Sequence, residues 1–209
     1  MRRRKRHDGI ANGPALVACA ALALVLMILL LLARFGTADG GIRVVIRATA
    51  RTSFALFILA FVAAPLRSAW RGDVTTWIVA RRRYLGLSFA VSHLLHLLAI
   101  LALYAWSPRR FVAETGTAAV IGGGIGYVLV ALMAATSSDR AVAWLGPRRW
   151  RRLHTFGMYY LWTIFTASYV PRAVVGSAAY APLALLAIAA LALRLRYRPR
   201  PTTPAAAAT

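Results

Sequence analysis

Three of the four histidines, His93, His96 and His154, lie in or at the edge of long apolar segments. A titratable side chain inside a membrane-spanning segment is costly, so a functional role is the first hypothesis for it. Imidazole is also a common axial ligand of haem iron. These three residues are therefore candidate haem ligands. The fourth histidine, His7, belongs to a basic stretch near the N-terminus, where we expect it to be solvated.

The spacing restricts which histidines could share one iron. On a helix, His93 and His96 are about 300° apart on neighbouring faces, so they cannot bind one iron from opposite sides. At 1.5 Å per residue, His96 lies about 20 Å and His93 about 15 Å from Arg83, whereas His154 is close to Arg152. Because two ligands of one iron must lie at similar depth, a His93–His154 pair matches better than a His96–His154 pair. Arg151 and Arg152, next to His154, could pair with haem propionates. The alternatives are interhelical hydrogen bonds or, for His154, an interfacial position.

The segments that carry these histidines have the length and polarity of membrane spans. A helix needs about 20 apolar residues to cross the hydrocarbon layer. Six runs approach or meet this requirement, although the second and fifth are short and the fifth is mostly aromatic. The sequence therefore predicts an all-α, six-helix transmembrane bundle. The predicted spans are 14–34, 50–66, 85–106, 118–137, 153–170 and 177–195.

The distribution of basic residues predicts the orientation of this bundle. Most of the 26 Lys and Arg residues fall in segments that are cytoplasmic if the N-terminus is inside, as the positive-inside rule requires. We therefore expect a multi-pass protein of the cell inner (plasma) membrane with both termini cytoplasmic. Its organisation would be a basic tail over residues 1–13, the membrane domain over 14–198, and a disordered, Ala-rich tail over 199–209.

Composition argues against several other classes of function. The net charge of +21 could indicate nucleic-acid binding, but the basic residues form short clusters in a chain that is 60% hydrophobic, so we expect no nucleic-acid partner. None of the five Asp and Glu residues lies in an apolar run, which argues against a paired-carboxylate catalyst or a proton relay. Cys19 is the only cysteine, which excludes an internal disulfide. The loops are short, so we expect any flavin or nucleotide module to belong to a separate chain.

Three motifs surround the candidate ligands. R-R-Y-L-G-L-S-F-A-V-S-H-L-L-H occupies Arg82–His96, and T-S-S-D-R-A-V-A-W-L-G-P-R-R-W-R-R-L-H occupies Thr136–His154. A-P-L-R occupies Ala64–Arg67. Together they resemble the third helix, the approach to the fifth helix, and the Thr-Pro-Leu-Arg end of the second helix in the ferric-reductase-like transmembrane domain family. The resemblance covers about residues 43 to 195, and it is nearest to the haem-bearing membrane subunit of bacterial periplasmic methionine-sulfoxide reductase systems.

The resemblance implies a haem b between the third and fifth helices. His96 takes the place of the family's third-helix histidine and His154 that of the inner fifth-helix histidine, with His93 as a third candidate. The family's outer fifth-helix histidine corresponds to Ala167, which cannot bind iron. We accordingly expect an integral membrane electron-transfer protein, an oxidoreductase component that passes electrons between a cytoplasmic or quinone donor and a separate acceptor. The expected partners are the lipid bilayer and a separate redox protein.

The alanine at position 167 leaves alternatives open. A haem could be five-coordinate on His96 alone, or Met158, one turn beyond His154, could supply a thioether ligand. Quinone and flavin are alternative cofactors. The runner-up function is a haem-less membrane scaffold or quinone-binding subunit that retains the family fold.

Overall fold

The computed structural model of the chain describes residues 12–197. This part of the chain consists of helices joined by short turns and contains no β-strand, which confirms the predicted all-α class. The helices are α1 (Gly13–Phe35), α2 (Asp39–Ala69), α3 (Asp73–Ala80), α4 (Arg82–Trp106), α5 (Pro108–Thr115), α6 (Thr117–Ala135), α7 (Asp139–Leu145), α8 (Pro147–Pro171) and α9 (Ala181–Arg196). A π-helical turn (Arg172–Gly176) and a 3-10 turn (Ala178–Tyr180) connect α8 to α9.

Five of these helices are long and apolar enough to cross a membrane, namely α1, α2, α4, α6 and, together with the preceding 3-10 turn, α9. This is the pattern of a multi-pass membrane protein. The predicted second span, 50–66, is the middle of the 31-residue α2. The predicted fifth span, 153–170, lies within α8, which has 25 residues, as many as α4, but begins with arginines. The membrane crossing of α8 stays a prediction.

Proline and glycine mark where several helices begin. The helices α1, α5, α8 and α9 carry a proline in the first turn, where its missing N–H costs nothing. Gly146, between α7 and α8, has a φ of 79°, a left-handed conformation that favours glycine and turns the chain into α8. Within the predicted tail 1–13, Asn12 precedes α1 and Gly13 begins it, while the rest of that tail and the tail 199–209 lie outside the described residues.

The central helix is α2, which packs against α1, α3, α4 and α9. Hydroxyl groups one turn apart on α2 meet α4, where Thr49 Oγ1 lies 3.0 Å from His96 Nδ1 and Ser53 Oγ lies 2.8 Å from Ser92 Oγ. We call these four residues the polar seam. In an apolar environment, such interhelical hydrogen bonds hold two helices in one register.

An aromatic core lies alongside the polar seam, between α2 and α8. Phe54, Phe57 and Phe61 are fully buried, and their spacing of three and four residues places them on one face of α2. The Phe57 and Phe165 ring centroids are 5.2 Å apart, and Phe54 meets Tyr169 edge to face at 4.9 Å. Such tilted and edge-to-face contacts are the favoured geometries of aromatic pairs.

The bundle has a basic end, at which the described chain both begins and finishes. The start of α1 lies there, because Gly13 is packed against the ring of Tyr84 near the start of α4. Tyr197, the last described residue, lines a cavity there together with Arg83. Arginines cluster at this end in Arg81–Arg83 and Arg148–Arg152.

An ion-pair network at the opposite end joins α2 to the short helix α5. The Glu114 carboxylate lies 2.7 Å from Arg110 Nε and 2.7 Å from an Arg43 guanidinium nitrogen, and Asp39 pairs with Arg43 at 2.9 Å. The Arg110 guanidinium, with help from Arg43, holds the pKa of the Glu114 carboxyl below its usual range. Since α5 has no buried residue, we infer that this network fixes its position.

We expect the network to be lost in acid. The pKa of Glu114 is lower in the folded protein than the ordinary 4.5, so the ion pairs contribute fully above that value and disappear as the pH falls through the folded pKa. The substitution Glu114→Gln should speed amide hydrogen exchange in α5 by a few-fold at constant pH and leave α2 and α4 unchanged. A pH below this range should lower the protection factors of α5 in the same way, once the slower intrinsic exchange in acid is divided out. The control is Asp139→Asn at the basic end, an acid that pairs with Arg83, far from α5. Equal exchange in α5 for both variants would contradict the assignment.

Candidate functional site

A cavity of about 650 Å³ opens at the basic end between α2, α4, α6, α8 and α9. We call it the basic cavity. Along α4 it extends from Arg82 to Ala90, a depth of about 12 Å at 1.5 Å per residue. Its deeper wall is apolar and comprises Phe57, Ala60, Phe89, Ala90 and Val130. A space of this size and polarity suits an amphiphile with a charged end.

His154 is the one candidate histidine that lines the basic cavity. Its Nε2 lies 3.1 Å from Thr136 Oγ1, and its ring stacks on Trp150 with centroids 4.3 Å apart. The Trp150 indole N–H donates to the carbonyl of Thr136 at 3.0 Å. One threonine therefore positions both rings, which gives a physical role to the threonine and tryptophan of the Thr136–His154 motif.

The hydrogen bonds of Thr136 determine the tautomer of His154. A hydroxyl has one proton to donate, and Thr136 Oγ1 lies 2.7 Å from the Leu132 carbonyl, which can only accept. Thr136 therefore accepts a hydrogen bond from the Nε2–H of His154, and the neutral ring keeps its lone pair on Nδ1. Histidines that bind metals commonly donate the N–H of the other ring nitrogen in this way.

Positive charge dominates the basic cavity. Arg83 pairs with the exposed Asp139 at 3.2 Å, and Asp139 is the only carboxylate among the lining residues that the structure describes. Of the two arginines that sequence analysis placed beside a cofactor, Arg151 lines the cavity, whereas Arg152 lies in a neighbouring groove on the outer side of α8. The arginines of the cavity are Arg82, Arg83, Arg151 and Arg194.

His96 lies further along α4, in the polar seam and outside the basic cavity. Thr49 Oγ1 is 2.8 Å from the Val45 carbonyl, to which it donates its proton. Thr49 therefore accepts from the Nδ1–H of His96, and the lone pair of His96 is on Nε2. His96 and His154 thus have opposite tautomers, each determined by a threonine on a neighbouring helix.

His93 is buried behind the wall of the basic cavity. Its ring centroid lies 4.6 Å from Tyr127 and 5.2 Å from Phe89, and the His96 ring is 5.6 Å away. Phe89 lines the cavity and His93 does not. The Nδ1 of His93 is buried and has no hydrogen-bond partner within residues 12–197. His93 is therefore the least satisfied polar group of the three.

Ala167, where the resemblance places an outer histidine, is exposed on α8. The buried face of α8 at this depth presents Phe165 and Tyr169 instead. Both rings pack against Phe54 of the aromatic core. A side chain at position 167 therefore points away from the core, and aromatic rings fill the region in which an outer cofactor would have to lie.

Among the residues that the structure describes, no second histidine lines the basic cavity, so the cavity does not bring together the His96–His154 or the His93–His154 pair. Met158 does line the cavity, but it lies one turn from His154 on the same helix and so cannot be its trans partner. Across the described part of the chain, no group of three or more His, Cys, Asp or Glu side chains could hold a metal ion. A single axial ligand for haem needs only one such residue.

Comparisons with protein-family models, with curated proteins and with solved structures found no match to this chain. The resemblance of its motifs to ferric-reductase-like domains therefore stays a prediction. The geometry of the basic cavity is therefore the basis for inferring a function.

Sequence reasoning did not identify Thr49, Arg82 or Arg194 as part of a site. Thr49 contacts a residue 47 positions away, and Arg194 contacts one 133 positions away, so no local pattern links them. One signal was available. Pro65 leaves a carbonyl of α2 without its helical donor, which predicts that a donor exists but not which residue supplies it.

A double-mutant cycle can measure the bond between Thr49 and His96. We expect Thr49→Val and His96→Phe to be coupled by about 0.6 kcal/mol, and by no more than about 1.7 kcal/mol, as for other interhelical hydrogen bonds in membranes. The measurement is reversible unfolding in mixed micelles. The control cycle pairs His96→Phe with Thr52→Val, because the Thr52 hydroxyl bonds within α2 at 2.9 Å and does not reach His96. Equal coupling in both cycles would show that the hydrogen bond is not the source.

Proposed function

We propose that this protein is a haem b electron-transfer protein of the membrane that holds one haem in the basic cavity, with His154 as the iron ligand. The observation that carries the proposal is the position of His154. It lines a cavity of about 650 Å³, and a threonine that has no proton left to donate holds its ring in one tautomer. Such a preset neutral imidazole is what a metal ligand requires.

The lining residues fit a haem with a single histidine ligand better than the bis-histidine arrangement that the resemblance implies. The wall that faces α8 contains Phe57, Phe89 and Ala90, none of which can bind iron. Arginines at the open end could pair with the propionates. Bound haem b would supply reversible one-electron exchange at iron, the chemistry of electron transport.

The residues of the chain would hold and shield such a group. Thr136 and Trp150 restrict rotation of the His154 ring, so its Nδ1 keeps one direction. Phe57 and Phe89 exclude water from the deeper part of the cavity. Burial of this kind and the identity of the iron ligand are two of the features by which a protein sets the reduction potential of haem.

The placement in the membrane is part of the proposal. With α8 as the sixth crossing and the arginine-rich end in the cytoplasm, the basic cavity opens towards the cytoplasm. The donor is then a cytoplasmic redox protein or a quinone of the inner leaflet. The acceptor is a separate partner, and the remaining candidates His96 and His93 lie along α4 between the cavity and the opposite end.

Reduced-minus-oxidised absorption spectra of the purified protein test the ligand assignment. We expect a b-type band in the wild type, its loss in His154→Ala, and its retention in His93→Ala and His96→Ala. A single protein ligand should also leave ferrous iron open to carbon monoxide. No band in protein produced with ample haem would overturn the proposal. Loss of the band in His96→Ala as well as in His154→Ala would instead favour the ligands that the motifs predict.

The hydroxyl of Thr136 provides a finer test of the same site. We expect Thr136→Val to weaken haem retention by about 10-fold, since removing the partner of a metal-binding histidine typically costs 10–100-fold in affinity. The control is Thr163→Val on α8, the helix that carries His154, since the Thr163 hydroxyl bonds to the Tyr159 carbonyl at 3.1 Å. Retention should be measured as the haem fraction transferred to apomyoglobin over time. Identical haem transfer from both variants would show that the Thr136 hydroxyl does not support haem binding.

A quinone-binding, haem-less subunit is the second candidate, because no second histidine lines the cavity within the described residues. Arginine N–H groups and a histidine lone pair can hydrogen-bond the two carbonyls and ring hydroxyls of a quinone or quinol. This function predicts that a haem-free protein with alanine at His93 and His96, which do not line the cavity, stays folded and still binds a short-chain quinone. Failure of that variant to bind quinone would count against it.

A further inference from the structure

Arg194 extends from α9 into the basic cavity and is held there by α2. Its guanidinium donates a hydrogen bond to the Phe61 carbonyl. The same group lies over the Phe61 ring at 4.3 Å and near the Tyr159 ring at 5.2 Å. Cation–π contacts of this kind favour arginine in a desolvated setting. The guanidinium is therefore fixed from two sides.

Pro65 explains why the Phe61 carbonyl can accept this bond. In a helix, the carbonyl of residue 61 receives its hydrogen bond from the N–H of residue 65. Residue 65 is proline, which has no N–H, and it lies inside α2. The carbonyl is thus free for an external donor. A proline in one helix creates the anchor for an arginine in another.

Arg82 lies on another wall of the same cavity, and its charge repels that of Arg194. In the part of the chain that the structure describes, neither arginine has a carboxylate partner, in contrast to Arg83 with Asp139. Two guanidiniums in a partly apolar cavity are costly unless an anion lies between them. Each retains N–H groups beyond those already used, since a guanidinium has five donors.

We propose that Arg82 and Arg194 form an anion-binding end of the basic cavity, which takes the carboxylates of an amphiphilic ligand whose apolar body lies against Phe57 and Phe89. For haem the carboxylates are its propionates, and in that form the inference rests on the function proposed above. The phosphate of an anionic lipid offers the same chemistry. The fixed guanidinium of Arg194 suits bidentate pairing with either group.

The test compares a porphyrin diacid with its diester. The probes are zinc protoporphyrin IX and its dimethyl ester, titrated by fluorescence into the full-length protein in zwitterionic lipid nanodiscs. The ratio of the two Kd values cancels most of the difference in lipid partitioning between variants. We expect wild type to prefer the diacid by at least about 10-fold, as charge-assisted pairs allow. Arg194→Gln and Arg82→Gln should bring the ratio close to that of empty nanodiscs.

The matched control is Arg196→Gln on the same helix. Arg196 is exposed and does not line the cavity, so its loss removes the same charge without touching the site. The wild-type ratio should survive in this variant. A ratio that falls as far in Arg196→Gln as in Arg194→Gln would show a general effect of charge and overturn the proposal.

Pro65→Ala tests the anchor and keeps α2 helical, since alanine favours a helix. The new N–H of residue 65 competes with Arg194 for the Phe61 carbonyl. A carbonyl can accept two hydrogen bonds, so we expect a smaller fall in the Kd ratio than in Arg194→Gln. An unchanged ratio would show that Pro65 and the Phe61 carbonyl do not hold Arg194 in its binding position.

The outcomes distinguish this inference from the proposed function. Equal binding of diacid and diester by wild type overturns the inference and leaves the haem function standing. If neither porphyrin binds, native mass spectrometry should compare the binding of phosphatidic acid with that of phosphatidylcholine, which tests the anion-binding end with a lipid phosphate. Phosphatidic acid binding that is lost in Arg194→Gln would keep the anion-binding end and overturn the haem function. No binding of either ligand class overturns both.

Discussion

The fold depends on the requirement that polar groups of α2 find partners inside the bundle, because lipid supplies none. Three groups on this helix do so with different neighbours. Thr49 and Ser53 bond to α4, and the Phe61 carbonyl bonds to Arg194 of α9. These bonds hold α4 and α9 in register against α2. The basic cavity lies beyond the polar seam, towards the basic end, along the part of α2 in which Pro65 interrupts the helical hydrogen bonds.

The single proton of a threonine hydroxyl determines the tautomer of each of two histidines. A threonine hydroxyl that donates to its own helix can only accept from an imidazole, so Thr49 and Thr136 each select one tautomer. The lone pair is on Nε2 in His96 and on Nδ1 in His154. Both rings are thereby prepared as ligands, but only His154 has a space of suitable size beside it. A histidine of this bundle therefore can have the tautomer that a metal ligand needs without lying beside a space for a cofactor.

Hydropathy predicted the helices well, because the apolar runs that must cross a bilayer are long and uniform. It predicted the pairing of the histidines poorly. Depth counted from the end of each helix does not say which face meets which neighbour, so the ring of Phe89 between His93 and the cavity could not be foreseen. Spacing alone also did not reveal that position 167 lies on the exposed face of α8. The partner of the Phe61 carbonyl was hidden for the same reason, since it lies 133 residues away.

Within the function proposed above, the packing of the aromatic core favours one cofactor over two. Opening a second dry cavity as large as the basic cavity, about 650 Å³, at roughly 24 cal/mol per Å³ would cost on the order of 16 kcal/mol. That exceeds the typical stability of a whole domain, about 5–15 kcal/mol. The basic cavity escapes this penalty because arginines and the exposed Asp139 line its mouth, where water, lipid or a ligand can fill it. Phe54, Phe165 and Tyr169 have no such opening, so a second haem beside them would have to displace rings that hold α2 to α8.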